Sequence, residues 1–210
     1  MRLESLRTPF TLTGRYVELV PLERDQREPL RAAAADPQIG RFLRNGPGHS
    51  AGEMDHLIDT LLAAHAAGTD LPFTIRLLPD HRTVGMTRFL RIDRENDWVE
   101  VGGTWLDSAY WRTPVNTESK LLLLHHAFEI ENVRRVQFQT DLRNQRSQAA
   151  LARLGAVREG VLREDVRLPD GHFRSSVYYS IVRSEWPVVK SRLEASLARP
   201  WGRGKAADSA

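Results

Sequence analysis

The 210-residue chain has no cysteine. That absence excludes a disulfide framework, a thiolate metal site and acyl transfer through a cysteine acyl-enzyme. Long apolar runs are missing as well: Leu121–Leu124 and Leu61–Ala64 fall far short of the roughly 20 residues that a membrane span needs. The opening residues lack the apolar core of a signal peptide, so the cytoplasm is the expected location. No G-x-S-x-G supports a serine hydrolase, no G-x-G-x-x-G a dinucleotide-binding oxidoreductase, and no H-E-x-x-H a zinc enzyme. The histidines form no ligand pattern either. His125 and His126 are helix neighbours that point apart, and His56 and His65 are too far apart for one turn. No metal is expected, and no partner membrane. Lys/Arg blocks and interleaved aromatics are also missing, so nucleic acid is not an expected partner. The net charge of +3 and isoelectric point of 9.6 suit an anionic ligand such as a nucleotide.

What is present is an ordinary globular composition, 41% hydrophobic and 27% charged, long enough for one domain with a full core. The expected domain covers residues 1–198, with a disordered tail over 199–210. The most informative segment runs from Trp98 to Gly155. Trp98 to Leu106 alternates and is rich in β-branched and aromatic residues, which predicts a strand. Asp107 to Val115 is a turn-rich loop, and Asn116 to Ile130 has a leucine-rich helical pattern. Arg135 to Thr140 alternates again, and Asn144 to Leu154 is a helix closed by Gly155. Strand, loop, helix, strand, helix is the order of a phosphate-binding βαβ unit. Asn116 is placed to cap the first helix, whose free N–H groups and positive dipole end would hold a diphosphate. Glu118 in the first turn complements that dipole.

These residues resemble the core of the GNAT superfamily of acyl-CoA N-acyltransferases, and most closely its RimL-like branch, which includes ribosomal-protein amino-terminal acetyltransferases. The resemblance rests on VEVGGTWLD from Val99, YWRTPVNTE from Tyr110, LLLLHHAFE from Leu121, and RVQFQTDLRNQRSQAALARLGAVREGVLRE from Arg135. It extends from about Phe10 to Trp186. It implies an α/β fold, a twisted mixed β-sheet with helices on both faces, acetyl-CoA as co-substrate and a primary amine as acceptor. The acceptor would be a protein N-terminal amine or a small amine, attacked directly in a ternary complex. Family habit also implies a homodimer.

The superfamily's Gln/Arg-x-x-Gly-x-Gly/Ala loop is altered here. The window reads Trp111, Arg112, Thr113, Pro114, Val115, Asn116, so both small positions are filled, and Pro114 has no N–H to give a phosphate. The tyrosine that many members carry on the helix after Asn144 is also replaced, by Leu151. These departures favour a rival from another class, a non-catalytic acyl-CoA-binding module on the same fold.

Elsewhere, Met1 to Leu12 reads as a loose arm, Arg15 to Leu22 as a strand and Glu23 to Ala35 as a helix. Ile39 to Leu43 is a short turn, and Asn45-Gly46-Pro47-Gly48 a flexible loop that by resemblance borders the acceptor pocket. Ser50 and Glu53 form a capping box for a helix to about Ala67. Phe73 to Leu78, Thr83 to Ile92 and the Trp98 strand make an antiparallel meander, with a bulge at Gly85. Ala156 to Arg167 and His172 to Val182 form a long hairpin about Leu168-Pro169-Asp170-Gly171, and Ser184 caps a last helix.

Acetyl transfer needs a base for the amine, donors for the oxyanion and a proton for the thiolate. The expected base is Glu100, with Glu118 in reserve; the alternative for Glu100 is an exposed or Arg-paired strand carboxylate. Ser147 is the expected thiolate donor, although early helical serines often bond the local backbone. Tyr179 is a further donor, preferred over Tyr178 because it matches the family position better; alternation sends the two to opposite faces. By resemblance, Val101, Gly102, Gly103, Thr104 and Trp105 bind the pantetheine arm beside a glycine bulge. Arg112, Thr113, Val115, Asn116, Thr117 and Arg146 meet the phosphates, with Arg143 as a further cation. Asn144 bonds the arm, caps its helix, or does both.

Overall fold

A computed structural model describes residues 3–199 apart from 45, 48, 49 and 169. Residues 200–210 of the expected tail, half of the 45–48 loop and Pro169 of the hairpin turn lie outside the described residues. Among the described residues, eight strands form one sheet: β1 (Leu12–Thr13), β2 (Val17–Pro21), β3 (Leu71–Leu77), β4 (Thr83–Asp93), β5 (Trp98–Leu106), β6 (Arg135–Asp141), β7 (Val157–Arg167) and β8 (Phe173–Val182). Their order is β1-β2-β3-β4-β5-β6-β8-β7, antiparallel throughout except for β5 and β6. The expected mixed sheet with a meander on one side is therefore observed.

The α-helices that cover it are α1 (Arg27–Ala33), α2 (Ala51–Ala66), α3 (Pro114–His125), α4 (Gln145–Leu154) and α5 (Trp186–Leu197). α3 and α5 bury Leu123, Leu124, Val189 and Leu193 against Val99, Val101, Val136 and Ile181 of one sheet face. α1 and α2 bury Leu30, Met54, Leu57 and Ile58 with Met86 and Trp105 of the other face. Helices thus lie on both faces, as expected.

Local chemistry sets several boundaries. Ser50 Oγ accepts from the Glu53 N–H, and the Glu53 carboxylate accepts from the Ser50 N–H, closing the capping box of α2. Asn144 Oδ1 accepts from the Ser147 N–H at 3.0 Å, and Gly155 ends α4 in the left-handed region at φ +94°. Other boundaries differ from expectation. α3 begins two residues early, with Thr113 as cap and Pro114 as its first residue, which leaves Asn116 in the first turn rather than at the cap. α1 begins only at Arg27, after a 3₁₀ turn over Arg24–Gln26. Ser184 lies in a 3₁₀ turn, and the Val182 N–H donates to the Glu185 carboxylate ahead of α5.

The N-terminal segment is not a loose arm. Leu3 and Leu6 are buried, Phe10 stacks on His126 with centroids 4.1 Å apart, and Leu12–Thr13 pairs with β2. Its apolar residues complete a flank of the core. Glu118 anchors the turn into β2. Its carboxylate accepts from the N–H groups of Arg15, Tyr16 and Val17 at 2.8, 2.7 and 2.9 Å. A Cβ on Gly14 would lie 2.5 Å from Glu118 Cδ, so glycine there lets the carboxylate in. Glu118 is therefore committed to the fold, far from the reserve base role expected of it.

Candidate active site

The site follows from a divergence in the sheet. β5 and β6 pair only from Trp98–Arg135 to Glu100–Gln137, yet both strands continue beyond. On its other side β5 slips register against β4 between Met86 and Arg88, opposite the double glycine. Gly103 has φ +57°, and an added Cβ would stand 2.9 Å from Arg88 Nε. The left-handed backbone is what favours glycine there, and a Cβ would also have to displace the Arg88 side chain. The bulge turns β5 away from β6 and leaves backbone groups facing a gap. A cavity of about 220 Å³ occupies that gap. It is bounded by the 101–106 run of β5, Phe138, Gln139 and Thr140 of β6, the start of α3 and the first turns of α4.

Most of the expected binding residues converge there. Val101, Gly102, Gly103, Thr104, Trp105, Arg112, Thr113, Asn116, Thr117, Asn144, Arg146 and Ser147 all line the cavity. Val115 does not: its side chain is fully buried in the core. Arg143 does not either, because Asp141 holds its guanidinium with two hydrogen bonds.

The mouth of the cavity is cationic. Arg146 stacks over the Trp111 ring, its Cζ 3.5 Å from the centroid, while the indole N–H donates to the Leu106 carbonyl at 3.0 Å. Burial pushes the Arg146 pKa down, with repulsion from Arg112 adding to it, against the attraction of Asp36. Two arginines brought together at a helix start form a receptor for an anion. Backbone donors at that helix start are fewer than usual. Pro114 has no N–H, and the Val115 N–H points to Thr113 Oγ1 at 3.4 Å. The Asn116 N–H remains, and side-chain guanidinium groups supply what the backbone does not. The residues present therefore fit a diphosphate-bearing ligand. Asn144 uses its side-chain oxygen for the cap, so its NH₂ end is the part free for a ligand.

Glu100 is buried on the opposite face of β5, over Gly102: its Oε1 would lie 3.4 Å from a Cβ there. Arg91 Nη1 lies 3.3 Å from its carboxylate, and Gln137 Nε2 donates to it at 3.1 Å. Desolvation nonetheless raises its pKa above the ordinary carboxylate value, because Arg91 is half in water and screened. Arg91 in turn has its pKa raised against desolvation by Glu100 and by a hydrogen bond with Tyr178. The two tyrosines do take opposite faces, but in the reverse of the expected assignment. Tyr179 packs in the core among the α3 and α5 side chains, and Tyr178 reaches the Glu100 face.

Lys120 is the residue that the sequence reading missed. It lies four residues after Asn116, so helical periodicity puts both on the cavity side of α3. A lone lysine ahead of four leucines was the available signal. Its Nζ donates to Thr87 Oγ1 at 3.3 Å and to Thr104 Oγ1, and the two hydroxyls bond each other at 2.8 Å. Burial alone pushes its pKa down to about 7. Arg153 and Arg174 also line the cavity. Among the described residues, no group of three or more acidic or histidine side chains could hold a metal, and no helix is long and apolar enough to cross a membrane.

Comparison with known proteins agrees with this geometry. The family model described as acetyltransferase (GNAT) domain matches residues 17–157. The Bacillus subtilis protein "Putative ribosomal N-acetyltransferase YdaF" is 29% identical over 110 residues, 52% of this chain and 59% of that protein. A T. thermophilus structure described as a "putative acetyltransferase" is 41% identical with a TM-score of 0.83, covering 90% of this chain and 98% of that one. The Mycobacterium smegmatis RimJ structure in complex with CoA-disulfide shares the fold with a TM-score of 0.76, at 22% identity over 92% of this chain and 96% of that one.

Proposed function

Because the chain belongs to the GNAT acetyltransferase family, we propose that it moves an acetyl group from acetyl-CoA to a primary amine within one ternary complex. The carrying observation is the glycine-bulged gap between β5 and β6, which runs to a helix start flanked by Arg112 and Arg146. An extended pantetheine arm fits such a gap as an added strand, meeting backbone groups of the 101–105 run. The diphosphate then meets Arg112, Arg146 and the Asn116 N–H. Asn144 holds the arm through its NH₂ end, and the Ser147 hydroxyl lies beside it.

Glu100 is the base in this reading. Burial raises its pKa and so makes it a stronger base toward an ammonium acceptor, and Gln137 and Arg91 hold the carboxylate in place. The acceptor enters from the face carrying Glu100, Tyr178 and Arg91. The name of the B. subtilis relative supports a ribosomal acceptor, and a protein N-terminal amine is the acceptor we propose; the chain spans 59% of that relative's length. The exposed β7 edge, with Val157 and Leu162 outward, supports a homodimer.

Transfer from acetyl-CoA to short peptides beginning with Ser or Ala tests the reading. Glu100→Gln should lower kcat by about 10²–10⁴-fold, as loss of a general base does, while leaving acetyl-CoA affinity unchanged. Binding without turnover on any amine would instead support the non-catalytic module that Pro114 and Leu151 favour.

A further inference from the structure

Resting on that acetyl-transfer reading, we propose that Lys120 supplies the proton that the CoA sulfur takes up as the thioester breaks, passing it through the Thr104 hydroxyl. Acyl transfer leaves a thiolate in the cavity, and the helix that carries a tyrosine acid in many relatives has Leu151 here, which lines the cavity but has no proton to give. Lys120 and Thr104 share the cavity wall beside the bulge where the arm must run, and they are hydrogen-bonded to each other. Thr87 Oγ1 completes the chain from the β4 side.

The surroundings suit a proton donor rather than a structural ion pair. The charged groups that line the same cavity are Arg112, Arg146, Arg153 and Arg174. The acidic neighbour on its own helix, Glu118, is turned toward the β2 turn and fully engaged there. Burial without a carboxylate opposite destabilises the ammonium form and lowers the pKa to about 7. A thiol ordinarily ionises near 8.5, so transfer from such an ammonium to a thiolate runs downhill.

The step balances. The acceptor nitrogen bonds the acetyl carbon, and the C–S pair leaves with sulfur. The Thr104 hydrogen passes to sulfur, and a Lys120 Nζ hydrogen replaces it on Thr104. Lys120, now neutral, regains a proton from water after the products leave. The acceptor sheds two protons on the other face: Glu100 takes the first before attack and passes it to water, and then takes the second as the amide forms.

The test compares the wild type with Lys120→Met, Lys120→Arg and Thr104→Val. With acetyl-CoA, Lys120→Met should lower kcat about 10²–10³-fold, within the usual range for a lost general acid. With S-phenyl thioacetate, whose thiol leaves without a proton, the loss should shrink to less than about tenfold by the same reasoning. The wild-type kcat should fall on the basic side of its pH profile, and that limb should vanish in Lys120→Met. Lys120→Arg keeps the charge but cannot release a proton, so it should not rescue. Bound CoA, titrated by thiolate absorbance, should show a lower thiol pKa in the wild type than in Lys120→Met. Full activity in Lys120→Arg, an equal loss on both thioesters, or equal thiol pKa values would overturn the proposal while leaving acetyl transfer standing. Absence of CoA binding in the wild type would remove both.

Discussion

Glu118 and Lys120 sit two residues apart on α3, each about 5% exposed, and they teach opposite lessons about buried charge. Glu118 accepts three backbone N–H bonds from the turn into β2. Lys120 has two hydroxyls and a cavity. A buried charge whose hydrogen bonds are all made within the chain serves the architecture. One whose partners stop at a cavity wall has capacity left for a ligand. The same helix thus ties the N-terminal segment to the sheet with one face and lines the cavity with another.

The larger effect is expected at Glu118. Glu118→Ala leaves three backbone donors without their partner, one of them buried, and should cost roughly 3–5 kcal/mol. Denaturant unfolding measures it, and activity per folded molecule should be unchanged. A large activity loss in the folded fraction would put Glu118 in the chemistry after all.

Lys120→Met should act in the other direction on stability. The folded pKa of Lys120 is lowered to about 7, while the unfolded lysine ionises near its ordinary 10.5. Between those values the unfolded chain binds the proton that the folded chain has released. Stability attributable to this group therefore rises with pH from about 7 to 10.5, and its cost is full below 7. The difference in stability between Lys120→Met and the wild type should be largest at and below pH 7 and shrink toward pH 10. A pH-independent difference would contradict the burial argument.

Much of the site was legible because it is written in local chemistry. The double glycine, the Asn144 cap and the closing Gly155 each need only their neighbours to act, and each stands where the sequence put it. The partners of Glu118 and Lys120 were not legible, because Arg15 lies 103 positions from Glu118 and Thr87 lies 33 from Lys120. The helix start at Thr113 was misplaced because Asn116 and Thr113 both carry capping side chains, and Pro114 decides between them by taking the first helical position. Alternation separated Tyr178 from Tyr179 correctly, but which one met the core depended on how β8 pairs with β6 across the sheet. The buried Leu3 and Leu6 belong to a segment with no periodicity to read.

A smaller effect sharpens the account at the cavity mouth. Trp111→Leu removes the ring beneath Arg146 and should weaken acetyl-CoA binding about 3–30-fold, the span of a cation–π contact between exposed and desolvated limits. Surface-charge changes remote from the mouth should leave the affinity unaltered.

In the proposed reading the gap between β5 and β6 takes acetyl-CoA despite Pro114 and Asn116 in its phosphate loop. Calorimetric titration of the purified protein with acetyl-CoA, beside Asn144→Ala and Glu100→Gln, tests it most directly. The expected result is micromolar binding in the wild type, weakened by Asn144→Ala and spared by Glu100→Gln. No heat of binding at millimolar acetyl-CoA would contradict it, leaving the fold in place and the enzyme without its co-substrate.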